Sequence, residues 1–303
     1  MKKLIAILLV GILSLSACTK VKPVELNILT PTGAPAATLI PLMLDETKDQ
    51  ITIVDGAEAI GAALVKGSYD VIVAPVNLGI TLASKGNSDY ILYGVLTWGN
   101  LYVVGDETAA LGQAGDLALF GQAAVPQKIW DTVKSSLGNL RTEIYYNAVS
   151  DVQVQLLSKK MNLGLMAEPA VTATIAKAKA QGLTLHVVAD LQSAWKGVTG
   201  LDNYPQAGLF IKKAADKKVR AAVDARFKQI AAFVKTIDAD PNLISASVDE
   251  IGAANLGVAS GAIIASAWKR MNIKIVKAKD ATSEIEAFMK LFGMNSVSEF
   301  IDK

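Results

Sequence analysis

The sequence predicts an α/β fold, because strand-like and helix-like segments alternate along most of its length. Short apolar strands are followed by helical patterns that begin at proline or at a polar residue. We expect parallel strands joined by right-handed helical crossovers. A content of 51% hydrophobic and 19% charged residues over 303 residues is typical of a compact protein with a large core.

The first part of the chain holds well-separated elements, each ended by glycine, proline or a polar cluster. Strands are expected at 25–29, 51–54, 70–74, 90–98 and 101–104, and helices at 36–44, 57–66 and 75–84. Pro35 suits the start of a helix, where a missing N–H costs nothing.

A second, smaller unit is expected from Asp106 onward. Its predicted strands are 117–120, 142–146, 163–167 and 184–189, with helices after Pro126 and Pro169. Ser150 and Gln153 have the spacing of a capping box, which predicts a helix start between them.

The last segment begins with a strand at 207–211 and a long helix. Apolar residues at spacings of three and four give that helix one buried face: Val219, Val223, Phe227, Ile230 and Val234. Further helices are expected at 241–254, 259–271 and 283–292, with an alternating strand at 273–276.

The N-terminus has the pattern of a secretory signal peptide, in which Lys2 and Lys3 precede an apolar stretch from Leu4 to Leu15. That stretch is short for a bilayer-spanning helix. It ends at Leu15-Ser16-Ala17-Cys18, and Cys18 is the single cysteine of the chain. This ending resembles the bacterial lipoprotein signal, which implies removal of residues 1–17, lipidation of Cys18 and a tether at 18–23. A generic signal peptide that ends near a cysteine is the alternative.

The charge balance argues against nucleic acid as a partner. The formal net charge is +2, and two of the lysines lie in the leader, so the remaining chain is close to neutral. With one cysteine there is no internal disulfide, and stability must come from burial.

Four segments in sequence order carry a resemblance to a known family: Thr30 to Ala36, Asp70 to Gly79, Thr97 to Tyr102, and Gly164-Leu165-Met166-Ala167-Glu168-Pro169-Ala170. Together with the leader they resemble the solute-binding proteins of ABC transporters, in the branch that binds nitrate, sulfonates, taurine and thiamine precursors.

The resemblance implies a two-lobed, type II periplasmic-binding-protein fold. Lobe I would comprise residues 24–104 plus 207–303, and lobe II residues 105–206. The chain would cross between them at Val104-Gly105-Asp106 and Tyr204-Pro205-Gln206, with the ligand in the cleft. The expected protein is an extracytoplasmic, membrane-anchored monomer without a cofactor, which delivers a small solute to an ABC transporter permease. A lipid-anchored sensor or protein-interaction lipoprotein of the same fold is the alternative.

In open α/β sheets the ligand crevice lies at the carboxyl ends of the strands. The candidate ligand-binding residues at those ends are Thr30, Thr32, Gly33, Ala34, Pro35, Val76, Asn77, Trp98, Gly99, Asn100, Gly121, Gln122, Glu168 and Trp195. Loops at 147–151 and 195–199 are also expected to line the cleft. The same residue types form ordinary strand-to-helix turns, so each loop has two interpretations.

Four of these side chains carry explicit alternatives. Trp98 could stack on a ligand or pack in the core, and Trp195 could close over the ligand from a mobile loop or pack locally. Asn77 could cap a helix or face the cleft. Glu168 could pair with an amine-bearing ligand, or could stabilise a helix N-terminus or a contact between lobes.

The candidate loops contain no arginine, and Lys196 is their single lysine. Tightly held sulfonates and phosphates usually recruit a guanidinium group. We therefore predict a small neutral or aromatic organic solute, with a modest anion held by backbone amides as the alternative.

Catalysis is not expected. His186 is the single histidine and lies in a pattern typical of a buried strand, so neither a Ser–His nor a Cys–His pair nor a histidine metal cluster is predicted.

Overall fold

The computed structural model describes residues 24–45 and 48–303. The predicted leader, the tether and Cys18 lie outside the described residues. Within those residues, no helix combines the length and the apolar character that crossing a bilayer requires.

A six-stranded sheet organises the first lobe, which the chain enters first and to which it returns. The N-terminal elements of this lobe are β1 (Asn27–Pro31), α1 (Ala34–Thr38), α2 (Ile40–Met43), β2 (Gln50–Val54), α3 (Ala57–Lys66), β3 (Val71–Pro75), α4 (Val76–Ser84) and β4 (Tyr90–Trp98).

A five-stranded sheet organises the second lobe. Its elements are β5 (Leu101–Gly105), β6 (Asp116–Phe120), α5 (Val125–Val133), β7 (Thr142–Tyr146), α6 (Val149–Leu157), β8 (Leu163–Ala167), α7 (Ala170–Ala180), β9 (His186–Asp190) and α8 (Leu191–Thr199).

The chain then returns to the first lobe and completes its sheet. These elements are β10 (Pro205–Lys212), α9 (Lys217–Ala239), α10 (Leu243–Ile251), α11 (Gly261–Ala267), a 3-10 turn (Trp268–Met271), β11 (Ile273–Lys277), a second 3-10 turn (Ala278–Ala281) and α12 (Thr282–Lys290).

Both sheets are mixed, which corrects the expectation of parallel strands throughout. The first sheet has the order β11-β4-β10-β3-β1-β2, and the second β7-β6-β8-β5-β9. Pairs of β1 with β2 and β3, and of β6 with β7 and β8, are parallel. The pairs made by β10, β11 and β5 are antiparallel. The chain enters the second lobe through β5 and re-enters the first lobe through β10. Both strands are antiparallel to the neighbouring strands that helical crossovers connect.

The hinge lies earlier in the chain than the sequence predicts. β5 is hydrogen-bonded between β8 and β9 of the second sheet, so the chain leaves the first sheet at Gly99-Asn100 and not near Val104-Gly105-Asp106. It rejoins the first sheet where β10 begins at Pro205. One buried apolar cluster runs through this junction and includes Trp98, Leu101 and Tyr204.

Helix starts follow local capping chemistry. The Asp190 carboxylate accepts hydrogen bonds from Gln192 N and Ser193 N at 2.8 and 3.3 Å, which fixes the start of α8. The predicted capping box of Ser150 and Gln153 is wrong. α6 starts one residue before Ser150, and the Asp151 carboxylate accepts from Ala148 N at 3.1 Å, because Asp151 holds the third helical position.

Candidate functional site

A cleft of about 470 Å³ lies between the lobes at the strand ends of both sheets. The first sheet brings β3, β10 and β4 together here, since Pro75 and Thr97 both pair with Ala207. β3 and β4 end at this edge, and the antiparallel β10 begins there. The cleft therefore occupies the crevice at the carboxyl ends of strands where α/β proteins bind ligands.

Most of the cleft wall is apolar, and both lobes contribute to it. Its lining residues are Pro31, Thr32, Gly33, Ala34, Pro35, Ala57, Pro75, Asn77, Leu78, Thr97, Asn100, Leu101, Phe120, Ala124, Val125, Pro126, Ala167, Glu168, Gln206 and Ala207. No lysine or arginine is found among them in the part of the chain that the structure describes. Phe120 is the aromatic side chain of this wall.

Glu168 brings a carboxylate to the cleft wall, but the carboxylate is engaged within the protein. Its Oε1 accepts a hydrogen bond from Arg270 Nε at 2.6 Å and from the Thr172 hydroxyl at 2.9 Å, and its Oε2 accepts from Thr172 N at 3.0 Å. The side chain is fully buried. Arg270 belongs to the first lobe and Glu168 to the second, so this ion pair joins the lobes, and the described lining of the cleft carries no other charged side chain.

The β1–α1 loop offers fewer free donors than the sequence predicts. Gly33 N donates to Leu256 O at 2.8 Å, and Thr32 N donates to Val54 O at 3.1 Å. The Thr32 hydroxyl donates to the Asp55 carboxylate at 2.8 Å. These three groups bond within the first lobe and are not free donors for a ligand.

Two asparagines of the cleft wall carry side-chain oxygens that are buried without a hydrogen-bond partner, Asn77 Oδ1 and Asn100 Oδ1. Asn77 lies in the first turn of α4, and Asn100 lies at the hinge between β4 and β5. Burying a polar atom without a partner is costly, so each of these oxygens calls for a donor from water or from a ligand.

Hydrogen bonds hold the hinge behind these asparagines. Gln192 receives a hydrogen bond from Leu101 N at 2.9 Å, returns one to Leu101 O at 3.0 Å, and accepts from the Tyr204 hydroxyl at 2.8 Å. Full burial raises the pKa of Tyr204 well above its ordinary value, because the tyrosinate would lose its hydration. A side chain on Gly99 would collide with the Tyr204 ring and with Asn203, so glycine is required here by close packing.

The structure brings part of the predicted set to the cleft wall: Thr32, Gly33, Ala34, Pro35, Asn77, Asn100 and Glu168. Thr30 and Val76 face the core and are fully buried. Gly121 and Gln122 lie beside the cleft, where the wall is formed instead by Ala124, Val125 and Pro126. Residues 147–151 and 195–199 contribute nothing to the lining.

Both predicted tryptophans are placed differently. Trp98 is buried on the side of β4 away from the cleft, and its indole N–H donates to Lys274 O at 2.8 Å. Trp195 is no loop residue: it lies within α8, is buried, and packs edge-on against Tyr204 at 5.3 Å between ring centroids. The burial of the single histidine was also predicted wrongly: His186 is exposed on the edge strand β9 and does not lie in a buried strand.

A second cavity of about 520 Å³ lies behind the hinge, where Trp98 is found. We call it the rear cavity; its lining residues are Trp98, Asp202, Asn203, Asp238, Trp268, Lys269, Asn272, Ile273, Lys274 and Glu284. Its wall therefore mixes acidic and basic side chains.

Several wall residues of the cleft escaped the sequence analysis. Phe120 ends β6, and Ala57 begins the helix after β2, so strand-end position could have indicated both. Gln206 and Ala207 reach the cleft because β10 is antiparallel, which local patterns do not show.

No protein-family model and no curated protein matches this chain. Solved structures do match its fold. An ABC transporter protein from Parabacteroides distasonis superimposes with a TM-score of 0.76 at 20% identity, covering 92% of this chain and 99% of that one. The periplasmic aliphatic sulphonate-binding protein of Escherichia coli gives 0.65 at 13% identity, covering 93% and 92%. The periplasmic nitrate-binding protein of Synechocystis gives 0.60 at 10% identity, covering 89% and 80%.

The chain has the fold of ABC-transporter solute-binding proteins. The two-lobed fold predicted from the sequence is thereby confirmed. Within this solute-binding-protein fold, the uncharged cleft between the lobes is the candidate ligand site.

Proposed function

We propose that this protein is the solute-binding component of an ABC-type import system and that it captures a small uncharged organic solute between its lobes. One observation carries the proposal: a cleft at the strand ends is walled by both lobes, and none of its described lining residues exposes an unpaired charge. A solute that touches both walls favours the closed arrangement by its differential affinity, which is the step that a permease can recognise.

The wall chemistry supports a neutral solute over an anion. Phe120, Leu101 and the proline and alanine residues offer apolar surface, which suits a ring or a short aliphatic body. The guanidinium of Arg270, which contacts the wall residue Glu168, is bound to that carboxylate. Anion recognition normally uses such a group or free backbone N–H donors, and those of Thr32 and Gly33 are engaged.

Location and assembly follow from the same proposal. A binding component of this kind works outside the cytoplasm, and the Cys18 motif supplies a lipid anchor at the membrane that holds the permease. The solute-bound monomer is the form that docks. The proposal assigns no chemical step to the chain, so turnover of a bound solute would contradict it.

Native mass spectrometry of the purified protein tests the proposal directly. We expect a bound small molecule that denaturation releases and that calorimetry shows to rebind. Ala124→Arg is the blocking variant, because Ala124 is exposed and lines the cleft, so the longer side chain enters the cavity without disturbing the core. It should lose the ligand.

Val154→Arg is the matched control, since Val154 is 57% exposed on α6 and lies outside the cleft lining. Equal ligand retention by both arginine variants would place the site elsewhere. Tight rebinding of nitrate or sulfate alone would refute the uncharged solute.

A further inference from the structure

We propose that the cleft selects solutes that donate hydrogen bonds, through the two side-chain oxygens Asn77 Oδ1 and Asn100 Oδ1. The solute class is uncharged amides, lactams, ureas and heteroaromatic rings with N–H groups. This inference rests on the proposed function of the cleft, and it names what distinguishes a solute from any other molecule of similar size.

Asn100 is the firmer of the two, because its amide orientation is fixed. Its Nδ2 donates to Glu168 O at 2.9 Å, so the other side-chain atom must be the carbonyl oxygen. Asn100 O accepts from Glu168 N at 3.0 Å, which holds the backbone as well. The residue is 4% exposed, and its Oδ1 has no partner. A rigidly held buried acceptor at a cavity wall favours a ligand that brings a donor.

Asn77 provides a second acceptor from the first lobe. It occupies the second position of α4, directly after β3, and lines the same cleft. Its Oδ1 is also buried without a partner. Two other polar wall groups are engaged within the protein: Thr97 Oγ1 accepts from Ala207 N at 3.1 Å, and the Thr32 hydroxyl donates to Asp55.

The sheet register sets the separation of the two asparagines. Asn77 follows Pro75, Asn100 follows Thr97, and both Pro75 and Thr97 pair with Ala207 on the strand between them. Two strand spacings put the backbones of β3 and β4 about 10 Å apart. Asn77 and Asn100 therefore line the cleft from two strand ends that β10 separates.

The same pair of oxygens disfavours anions. A sulfonate or carboxylate offers acceptors alone, and each would face a carbonyl dipole of like sign in a cavity that holds no free cation among the described residues. A solute with its N–H groups methylated would fill the cavity but leave both asparagine oxygens unsatisfied.

Pairs of probes with the same shape test the selection by ligand-detected NMR titration of the full-length protein. The pairs are 2-pyridone with N-methyl-2-pyridone, and benzamide with N,N-dimethylbenzamide; benzoate and methanesulfonate represent anions. We expect the N–H member of each pair to bind at least about tenfold more tightly than the methylated member, because the latter leaves buried acceptors unpaired. The anions should not compete.

Three variants assign the effect to the asparagines. Asn77→Leu should reduce the preference for N–H probes, because one of the two acceptors is lost. Asn77→Asp should retain the preference and favour benzamidine over benzamide, because a carboxylate attracts the cationic amidine. Asn100→Leu should act like Asn77→Leu, and a thermal melt verifies its folding. Asn147→Leu is the control, since Asn147 is exposed at a strand end outside the cleft lining.

The outcomes separate this inference from the proposed function. Cleft binding of methylated probes or of anions, competed by the co-purified solute and equal to that of N–H probes, refutes donor selection while the cleft remains a solute site. An N–H preference that is undiminished in both leucine variants likewise refutes it. If no probe and no co-purified molecule occupies the cleft, both proposals fail.

Discussion

Two cavities flank the hinge, and they differ in charge more than in size. The cleft has a volume of about 470 Å³ and the rear cavity about 520 Å³. The cleft wall is uncharged apart from the paired Glu168, whereas the rear wall carries both acidic and basic residues. Adjacent residues of β4 separate them, because Thr97 faces the cleft and Trp98 faces the rear. Size therefore does not distinguish the candidate ligand site from the rear cavity; wall charge and position at the strand ends do.

The largest effect is expected from breaking the ion pair that stands between the two cavities. Arg270→Met leaves the fully buried Glu168 carboxylate without its cationic partner, and we expect a loss of about 2 kcal/mol or more in unfolding free energy. Solute binding should weaken too, since the pair joins the lobes. Denaturant titration measures the change.

A double-mutant cycle sharpens that result. Glu168→Gln combined with Arg270→Met removes both charges, and it should recover part of the stability lost in Arg270→Met alone. Simple additivity of the two changes would show that the pair does not couple the lobes.

Matched aromatic substitutions on the two sides of the hinge should have opposite signatures. Phe120→Leu removes the aromatic wall of the cleft and should weaken solute binding by about fivefold. Trp98→Phe should leave affinity unchanged and instead lower stability by about 1 kcal/mol, because Trp98 is buried behind the hinge. Calorimetry and thermal melts measure both quantities, and loss of affinity in Trp98→Phe would return that residue to the ligand site.

Placing a charged side chain in the cleft should remove the difference in wall charge between the cleft and the rear cavity. Ala124 is the N-cap of α5 in an extended conformation without a side-chain cap, so Ala124→Asp should stabilise the protein by about 0.5 kcal/mol. The same variant should bind neutral probes less well and benzamidine better. Lower stability together with unchanged probe preference would show that Ala124 neither caps the helix nor faces the solute.

The smallest effect is expected on folding stability at alkaline pH, through the buried hinge residue Tyr204. Burial raises the pKa of Tyr204. At alkaline pH the folded protein therefore retains the hydroxyl proton, whereas the unfolded chain, whose tyrosine pKa is about 10, loses it. Stability is thus full below about pH 10 and falls as pH rises above it. Tyr204→Phe should flatten this fall in a pH series of denaturant titrations. An unchanged slope would assign it to other tyrosines.

The sequence predicts the individual strands and helices well, because each of them depends on local patterns. The strands Tyr90–Trp98, Thr142–Tyr146 and Leu163–Ala167 and the helix Ala57–Lys66 have the predicted bounds. The direction of the strands could not be predicted in this way, because the pairing of β10 between β3 and β4 depends on contacts between residues far apart in the chain.

The candidate site was predictable as a set of loops but not as a set of side chains. Strand-end position alone placed Gly33 and Asn77 at the cleft wall. Strand-end position could not show that Thr97, and not Trp98, faces the cleft, because the side of a strand that faces a cleft depends on the position of the opposite lobe. The partner of Glu168 is Arg270, 102 positions away, and no local pattern links them.

Trp195 shows a signal that was missed. Asp190 is a favourable helix cap, and Leu191 and Trp195 follow it at a spacing of four, which predicts the buried face of a helix and not a loop.

The uncharged wall of the cleft has a consequence for the surroundings in which the protein can work. Dissolved ions weaken attraction between charges over about 10 Å at 0.1 M salt, but they hardly affect contacts made by apolar surface and neutral amides. Capture of the solute should therefore proceed with the same affinity in dilute and in saline media.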